Sequence, residues 1–201
     1  MLAALGAFAL AAGCATSPPS RFYTLSGAPA PEAFTSGVAV AVGPVAVPAA
    51  VDRPEIVVAV SGNEVWLDEF NRWAAPLADG IALAVVADLA AQLATPRVVL
   101  LAQAGAGAEY RVALDVQRFE SAPGSHALVD AAWTVTRGRD GATSGGRTVA
   151  REAAPERGYD ALAAAHSRAL ARVSADVAAA VRALAAAPAS APRAVPSSPA
   201  Q

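Results

Sequence analysis

The feature that most constrains the fold is an amphipathic helical pattern near the C-terminal end of the chain. Its members recur at spacings of three and four residues, and they are Leu162, His166, Leu170, Val173, Val177, Val181 and Leu184. This spacing predicts a helix over about residues 159–187, with Asp160 as its N-cap. A helix with one apolar stripe must bury that stripe against another layer, so the chain needs a sheet or further helices to pack on it.

The rest of the chain supplies that second layer. An apolar residue at every fourth position predicts another helix from about Pro76 to Ala94. Strands are predicted for segments rich in Val and aromatic residues, at 21–25, 38–47, 55–60, 65–67, 98–101, 109–120, 127–137 and 146–153. The last three should form an antiparallel meander, in which alternation places Arg118 on the apolar face of Tyr110 and Phe119 on the opposite face. The predicted fold is α/β, a single domain with a mixed, largely antiparallel sheet packed by two long helices.

The N-terminal end carries an export signature. Residues 2–12 are wholly apolar but too few to cross a bilayer of about 30 Å, as is typical of a signal peptide. The segment 10–14 resembles a bacterial lipobox, in which Cys14 becomes the lipidated first residue. Ala11 stands where Leu is usual, and no positive charge precedes the apolar run. The alternative is a plain export signal with an incidental cysteine. Ala15 after the cysteine favours sorting to the outer membrane.

These segments predict the organisation of the chain. A signal peptide is expected over residues 1–13, a lipidated cysteine and tether over 14–20, and an α/β domain over 21–187. A tail rich in Pro, Ala and Ser at 188–201 is too poor in large apolar residues to pack, so we expect it to be disordered.

Composition excludes some classes of function. The formal net charge is -2, and the 15 basic residues, all Arg, are scattered along the chain. Nucleic-acid binding is therefore not expected, because it needs clustered positive charge. The single cysteine rules out an intrachain disulfide and a cysteine-based metal site.

No catalytic constellation is visible in the sequence. His126 and His166 lie far apart, and His166 is expected at the edge of the core. Ser167 follows His166 directly, but adjacent helix residues point in different directions and cannot pair. Asp68 and Glu69 are predicted to be solvated carboxylates in a loop. We expect no enzyme, no metal and no cofactor apart from the covalent lipid on Cys14.

Two motifs carry a resemblance to a known family. Residues 47–57 contain Asp52-Arg53-Pro54 followed by Glu-Ile-Val, and residues 69–77 read Glu-Phe-Asn-Arg-Trp-Ala-Ala-Pro-Leu. Together they resemble the signature of the ABC-type transport auxiliary lipoproteins, the PqiC-like family, over roughly residues 14–187. Ala75 replaces the family's common Glu, and Val51 lies where Leu is usual.

The resemblance implies an α/β lipoprotein of the outer membrane that supports membrane integrity. Such a lipoprotein would partner an inner-membrane or periplasmic protein with MCE domains in lipid transport, with a homo-oligomeric ring as one arrangement of its subunits. Arg53, Arg72 and Trp73 are the candidate contacts with a partner, because exposed arginine and aromatic residues anchor interfaces. A local ion pair and a helix-entry device are equally open readings of these residues. A periplasmic enzyme and a structural envelope lipoprotein unrelated to lipid transport are the alternative functions.

Overall fold

The computed structural model describes residues 17–104 and 107–188. Two α-helices lie within these ranges, α1 at Leu77–Gln92 and α2 at Tyr159–Ala186. The strands are β1 Arg21–Tyr23, β2 Val40–Ala46, β3 Glu55–Ala59, β4 Val65–Trp73, β5 Val98–Leu100, β6 Tyr110–Ala122, β7 His126–Arg137 and β8 Thr143–Ala153. They form one mixed sheet, which confirms the predicted fold class.

The long strand β6 is the centre of the sheet, and the sheet forks along one of its edges. Its other edge pairs antiparallel with β7, and β7 pairs antiparallel with β8, so the predicted meander is confirmed. On the forked edge, β2 runs parallel to the first half of β6, and β3 meets it at Ser121. β5 lies beyond β2, whereas β4 and then β1 lie beyond β3. The fork therefore leaves β1 and β4 as one arm of the sheet, which we call the β1–β4 arm; β2 and β5 form the other arm.

The two helices pack against each other and cover one face of the sheet. Helix α2 lies over β7 and β8, and α1 lies over β2 and β5. Every member of the α2 stripe is buried, as the periodicity predicts. The opposite face of β6 carries exposed charged residues, among them Arg111 and Asp115. The core thus lies between the helices and one side of the sheet.

A bulge in β6 changes the predicted face of one aromatic residue. The register with β7 shifts between Val116 and Arg118, because one residue of β6 is left over. An extra residue reverses the alternation beyond it. Phe119 therefore continues the buried face and Arg118 is exposed, so the predicted assignment of this pair was wrong.

Both ends of α2 differ from simple capping rules. The N-cap is Gly158 with no side-chain cap bond, so the prediction of Asp160 as N-cap was wrong. Asp160 lies in the first turn, where a negative charge suits the helix dipole. At the other end, the buried Arg137 donates hydrogen bonds to the carbonyl oxygens of Ala187 (2.9 Å) and Pro188 (3.0 Å). It also donates to the carbonyl of Leu184, so this guanidinium supplies donors to carbonyl groups that the end of a helix leaves without an intrahelical partner.

Candidate partner-binding site

Strand β4 is longer than predicted and contains a buried carboxylate. It runs to Trp73, and Asp68 within it is 4% exposed. Asp68 Oδ1 accepts the backbone N–H groups of Phe70 and Asn71, both at 3.0 Å. Asp68 Oδ2 accepts Asn71 Nδ2 at 2.9 Å and the Tyr159 hydroxyl at 2.6 Å. The prediction that Asp68 is a solvated loop residue was therefore wrong.

These bonds close a bulge of three residues in β4. Asp68 pairs with Ile56 of β3, but the preceding residue of β3, Glu55, pairs with Arg72. Residues 69–71 are thus left over in β4, and the Asp68 side chain holds them as a local turn. The bulge decides which way the following side chains point. Trp73 turns toward the helices. Arg72 lies on the opposite face of the sheet together with Glu55, and we call this the open face.

The Asp68 carboxylate also ties this strand to the start of α2. Burial alone would raise the pKa of Asp68, but the hydrogen bonds from Tyr159, Asn71 and the backbone together lower the pKa below its ordinary value. Burial, and then the bond to this carboxylate, raise the pKa of the Tyr159 phenol. Tyr159 is therefore the donor and Asp68 the charged acceptor at neutral pH. Tyr23 donates its hydroxyl to Asn71 Oδ1 at 2.8 Å, which adds β1 to the same network.

Trp73 belongs to a buried aromatic cluster. It is 7% exposed and packs edge-on against Phe119 and His166, with ring centroids 6.0 and 6.1 Å apart. The Phe119 and His166 rings stack at 3.9 Å. This geometry gives Trp73 a structural role, and its side chain is not an exposed anchor. A contribution of Trp73 to partner binding stays a prediction.

His166 lies in the centre of the core, so its predicted place at the edge was wrong. Its side chain is fully buried, and Nε2 lies 2.8 Å from Ser121 Oγ. Burial, and then the charge of His126, lower the pKa of His166 to about 3. The imidazole is therefore neutral in the folded protein over most of the pH range. Since Ser121 is buried as well, this pair fits a core hydrogen bond rather than a surface nucleophile and base.

Arg53 and Arg72 share one carboxylate on the open face. Arg72 Nη2 lies 3.0 Å from Glu55 Oε1, and Arg53 Nε lies 3.6 Å from Glu55 Oε2. The Arg53 side chain is 41% exposed and the Arg72 side chain is 37% exposed. Exposed ion pairs contribute about 1 kcal/mol or less to stability. Two guanidinium groups therefore share one carboxylate on this exposed surface.

Phe22 completes this surface, although no sequence pattern predicted its role. Phe22 of the edge strand β1 pairs in register with Arg72 and is 62% exposed. Residues paired in register share a face of the sheet, so Phe22, Arg72 and Glu55 lie side by side. The exposed aromatic residue beside Arg72 is therefore Phe22. Only the register of β1 against the bulged β4 places Phe22 beside Arg72.

The two family-like motifs meet in the structure. The backbone N–H of Trp73 donates to the carbonyl of Pro54 at 2.8 Å. Residues 52–54 and 73–76 together line a groove of about 320 Å³, which we call the motif groove. Arg53 lies at this groove and Arg72 beside it, so the structure brings all three predicted site residues together. They differ in burial, since the two arginines are accessible and Trp73 forms part of the core.

Among residues 17–104 and 107–188, no group of three or more His, Cys, Asp or Glu side chains could hold a metal ion. No helix in these ranges is both long and apolar enough to cross a membrane. Cys14 lies outside the described residues, as does the tail beyond Pro188, so the predicted lipidation and disorder stay predictions.

Comparison with known proteins decides the family. The model of the ABC-type transport auxiliary lipoprotein component matches residues 23–178. The chain belongs to this family. The predicted resemblance is thereby confirmed, and the match includes both motifs and most of α2. The family describes the chain as an auxiliary lipoprotein of an ABC-type transport system, which associates it with a transporter and a membrane.

Solved structures share the fold. A protein of Xanthomonas campestris from the DUF330 family is 20% identical, covers 82% of this chain and 99% of its own, and has a TM-score of 0.63. An uncharacterized protein is 21% identical, covers 79% of this chain and 99% of its own, and has the same TM-score, 0.63. A search of curated proteins finds no match. At this identity the two structures establish the architecture of the domain.

Proposed function

We propose that the protein is an outer-membrane lipoprotein of an MCE-type lipid transport system driven by an ABC transporter. It acts by assembly with an MCE-domain protein and not by catalysis. Lipid on Cys14 anchors it to the periplasmic face of the outer membrane, where it supports membrane integrity. The observation that carries the proposal is family membership over residues 23–178, together with the lipobox-like segment 10–14.

The arrangement around the motif groove supports a role in assembly. Arg53 and Arg72 present guanidinium groups on a single carboxylate, and Phe22 adds an exposed aromatic ring beside them. Interfaces are enriched in arginine and aromatic residues, which carry much of the binding energy. A partner with carboxylate groups and an apolar pocket would complement this surface. We infer that the open face of the β1–β4 arm is the partner-facing side.

A crosslinking pull-down from native membranes tests this proposal. The bait is the full-length protein, and the controls are Cys14→Ser, which removes the lipid, and the double variant Arg53→Ala/Arg72→Ala. We expect the wild type to recover an MCE-domain protein, and both variants to recover much less. The Cys14→Ser protein should also leave the outer-membrane fraction.

The alternative function gives a different result in the same experiment. A structural envelope lipoprotein would recover peptidoglycan or an unrelated outer-membrane machine, and the arginine pair would not affect the recovery. Such a result from folded, lipidated protein would contradict the transport proposal.

A further inference from the structure

The hairpin between β3 and β4 carries an exposed apolar tip at one end of the molecule. Val60, Val65 and Trp66 are 56%, 60% and 56% exposed. The turn at 61–64 holds them together, since the backbone N–H groups of Val60 and Ser61 both donate to the carbonyl of Glu64. Isolated exposed apolar residues are ordinary on a protein surface, but a cluster that includes tryptophan marks a surface that something covers.

Both faces of the tip are apolar. Trp66 pairs with Val58, and Val65 pairs with Ala59, so successive residues of β4 point to opposite sides of the hairpin. Val60 lies two residues beyond Val58, on the side of Trp66. A groove-binding partner would contact one side of a hairpin. A medium that surrounds the tip, such as the interface of a bilayer, would cover both sides.

The direction of β1 shows where the N-terminal tether leads. β1 and β4 are parallel, with Arg21 paired to Asn71, so the chain before Arg21 runs back toward the start of β4. Pro18 and Pro19 line a common cavity with Phe70 and Asn71, which places the start of the tether beside β4. The tip lies at the start of β4, which is the end toward which the tether runs.

The length of the tether allows Cys14 to reach the tip. Five residues separate Phe70 from Val65, which is at most about 17 Å at the usual rise per residue, since the bulge at 69–71 shortens the span. Five residues also separate Pro19 from Cys14, and an extended chain covers at most about 3.5 Å for each, again about 17 Å. A lipid on Cys14 can therefore enter a membrane at the level of Val65 and Trp66.

We propose that the tip formed by Val60, Val65 and Trp66 inserts into the headgroup region of the bilayer that holds the lipid of Cys14. The contact is mainly apolar, because Glu64 is the single charged residue among residues 60–66. Tryptophan favours this region of a bilayer, where its ring is partly buried and its N–H stays hydrated. The tip orients the domain, so that the β1–β4 arm stands upright on the membrane. The inference rests on lipidation of Cys14 in the proposed function.

Quenching of tryptophan fluorescence by brominated lipids tests the insertion. The full-length lipidated protein is reconstituted in vesicles of phosphatidylethanolamine and phosphatidylglycerol doped with brominated phosphatidylcholine. We expect quenching in the wild type, its loss in Trp66→Phe, and a reduction in Val65→Ser. Val149→Ser is the matched control, because Val149 on β8 is 59% exposed and lies away from the tip; its quenching should equal that of the wild type.

Three results would overturn the proposal. The first is wild-type emission that is insensitive to brominated lipid, and the second is quenching that persists in Trp66→Phe. The third is emission that shifts with protein concentration in the absence of vesicles, which would mean that a second copy covers the tip. Mass spectrometry of Cys14 before reconstitution separates the two proposals. Unmodified Cys14 contradicts the anchor and the docking together, whereas lipidated protein with unquenched Trp66 contradicts the docking alone.

Discussion

Two tryptophans of β4 lie in opposite environments. Trp73 is 7% exposed and fills the core against Phe119 and His166, whereas Trp66, at the hairpin end, is 56% exposed. Both lie on the same strand, but Trp73 contacts His166 of α2, whereas Trp66 lies beside the hairpin turn. One strand therefore supplies a core residue at one end and an accessible side chain at the other. The position along the strand, and not the residue type, decides which role a tryptophan takes.

The bulge between the two tryptophans explains how one strand serves both ends. Residues 69–71 are extra relative to β3, and Asp68 holds them in place. Because of the bulge, Trp73 points into the core and Arg72 points outward beside Phe22. A core residue, Trp73, and a residue of the candidate partner surface, Arg72, are therefore neighbours in the sequence, and the Asp68 network positions both.

Truncation of the two tryptophans should give the largest difference. We expect Trp73→Ala to lower the free energy of unfolding by about 3–5 kcal/mol, because it removes a buried aromatic ring and leaves a cavity. Trp66→Ala should change it by about 0.5 kcal/mol or less, as for other exposed positions. Urea denaturation followed by circular dichroism measures both. Equal losses in the two variants would contradict the assigned burial.

Removal of the Asp68 carboxylate tests what holds the bulge. Asp68→Ala leaves its donors from Phe70, Asn71 and Tyr159 unpaired, and we expect a loss of about 2–3 kcal/mol. Tyr159→Phe removes one of these bonds and should cost about 1–2 kcal/mol. If Asp68 acts through Tyr159, the two losses are not additive in a double-mutant cycle. Additive losses would show that the bulge and the helix start are independent.

The buried His166 beside Trp73 predicts an acid-sensitive core. Folding lowers the pKa of His166 from 6.5 to about 3, so the unfolded chain binds more protons below pH 6.5. The part of the unfolding free energy that depends on a neutral His166 is present above pH 6.5 and is lost as the pH falls toward 3. The expected loss between pH 7 and pH 5 is roughly 2 kcal/mol of unfolding free energy.

The variant His166→Gln isolates this effect. It keeps a polar group near Ser121 but removes the titration, so its stability should fall less steeply between pH 7 and pH 5 than that of the wild type. Burial raises the pKa of Asp88, which acts in the opposite direction, but Asp88 is present in both proteins. Parallel pH profiles for the two proteins would show that His166 is accessible to protons in the folded state.

The open face should respond least in stability. Arg72→Ala removes an exposed ion pair with Glu55, and we expect a loss of about 1 kcal/mol or less. The same variant should nevertheless reduce recovery of the partner in the pull-down. Arg118→Ala is a matched control, because Arg118 forms an exposed ion pair with Glu120 on β6, away from the motif groove. Similar recovery with both variants would remove Arg72 from the partner surface.

Local periodicity was enough to predict most of the secondary structure. The stripes of α1 and α2 and the β6–β7–β8 meander follow from apolar residues at spacings of four, three and two, which act within one element. The strand β4 was predicted too short, because Asp68 and Glu69 resemble a loop in sequence. The hydrogen bonds that compensate burial of Asp68 are not visible in the sequence, and one of them comes from the hydroxyl of Tyr159, distant in the chain.

The candidate site was predicted only in part. The motifs at 47–57 and 69–77 were identified, and the structure brings parts of them, 52–54 and 73–76, together at the motif groove. Their side-chain directions were not predictable, since alternation counted along the sequence ignores the bulges in β4 and β6. Trp73 was therefore placed among exposed candidates, and Phe22 was missed. The cap that Arg137 supplies to α2 likewise depends on tertiary contact.

Photocrosslinking from the position of Phe22 is the most direct test of the central claim, that the open face of the β1–β4 arm binds the transport partner. A photoreactive phenylalanine derivative replaces Phe22 in the lipidated protein, and the same derivative at Val149 is the equally exposed control. After irradiation of native membranes, we predict a crosslink to an MCE-domain protein from position 22 and none from position 149. Absence of this crosslink from folded, lipidated protein, or equal yields from both positions, would contradict the account.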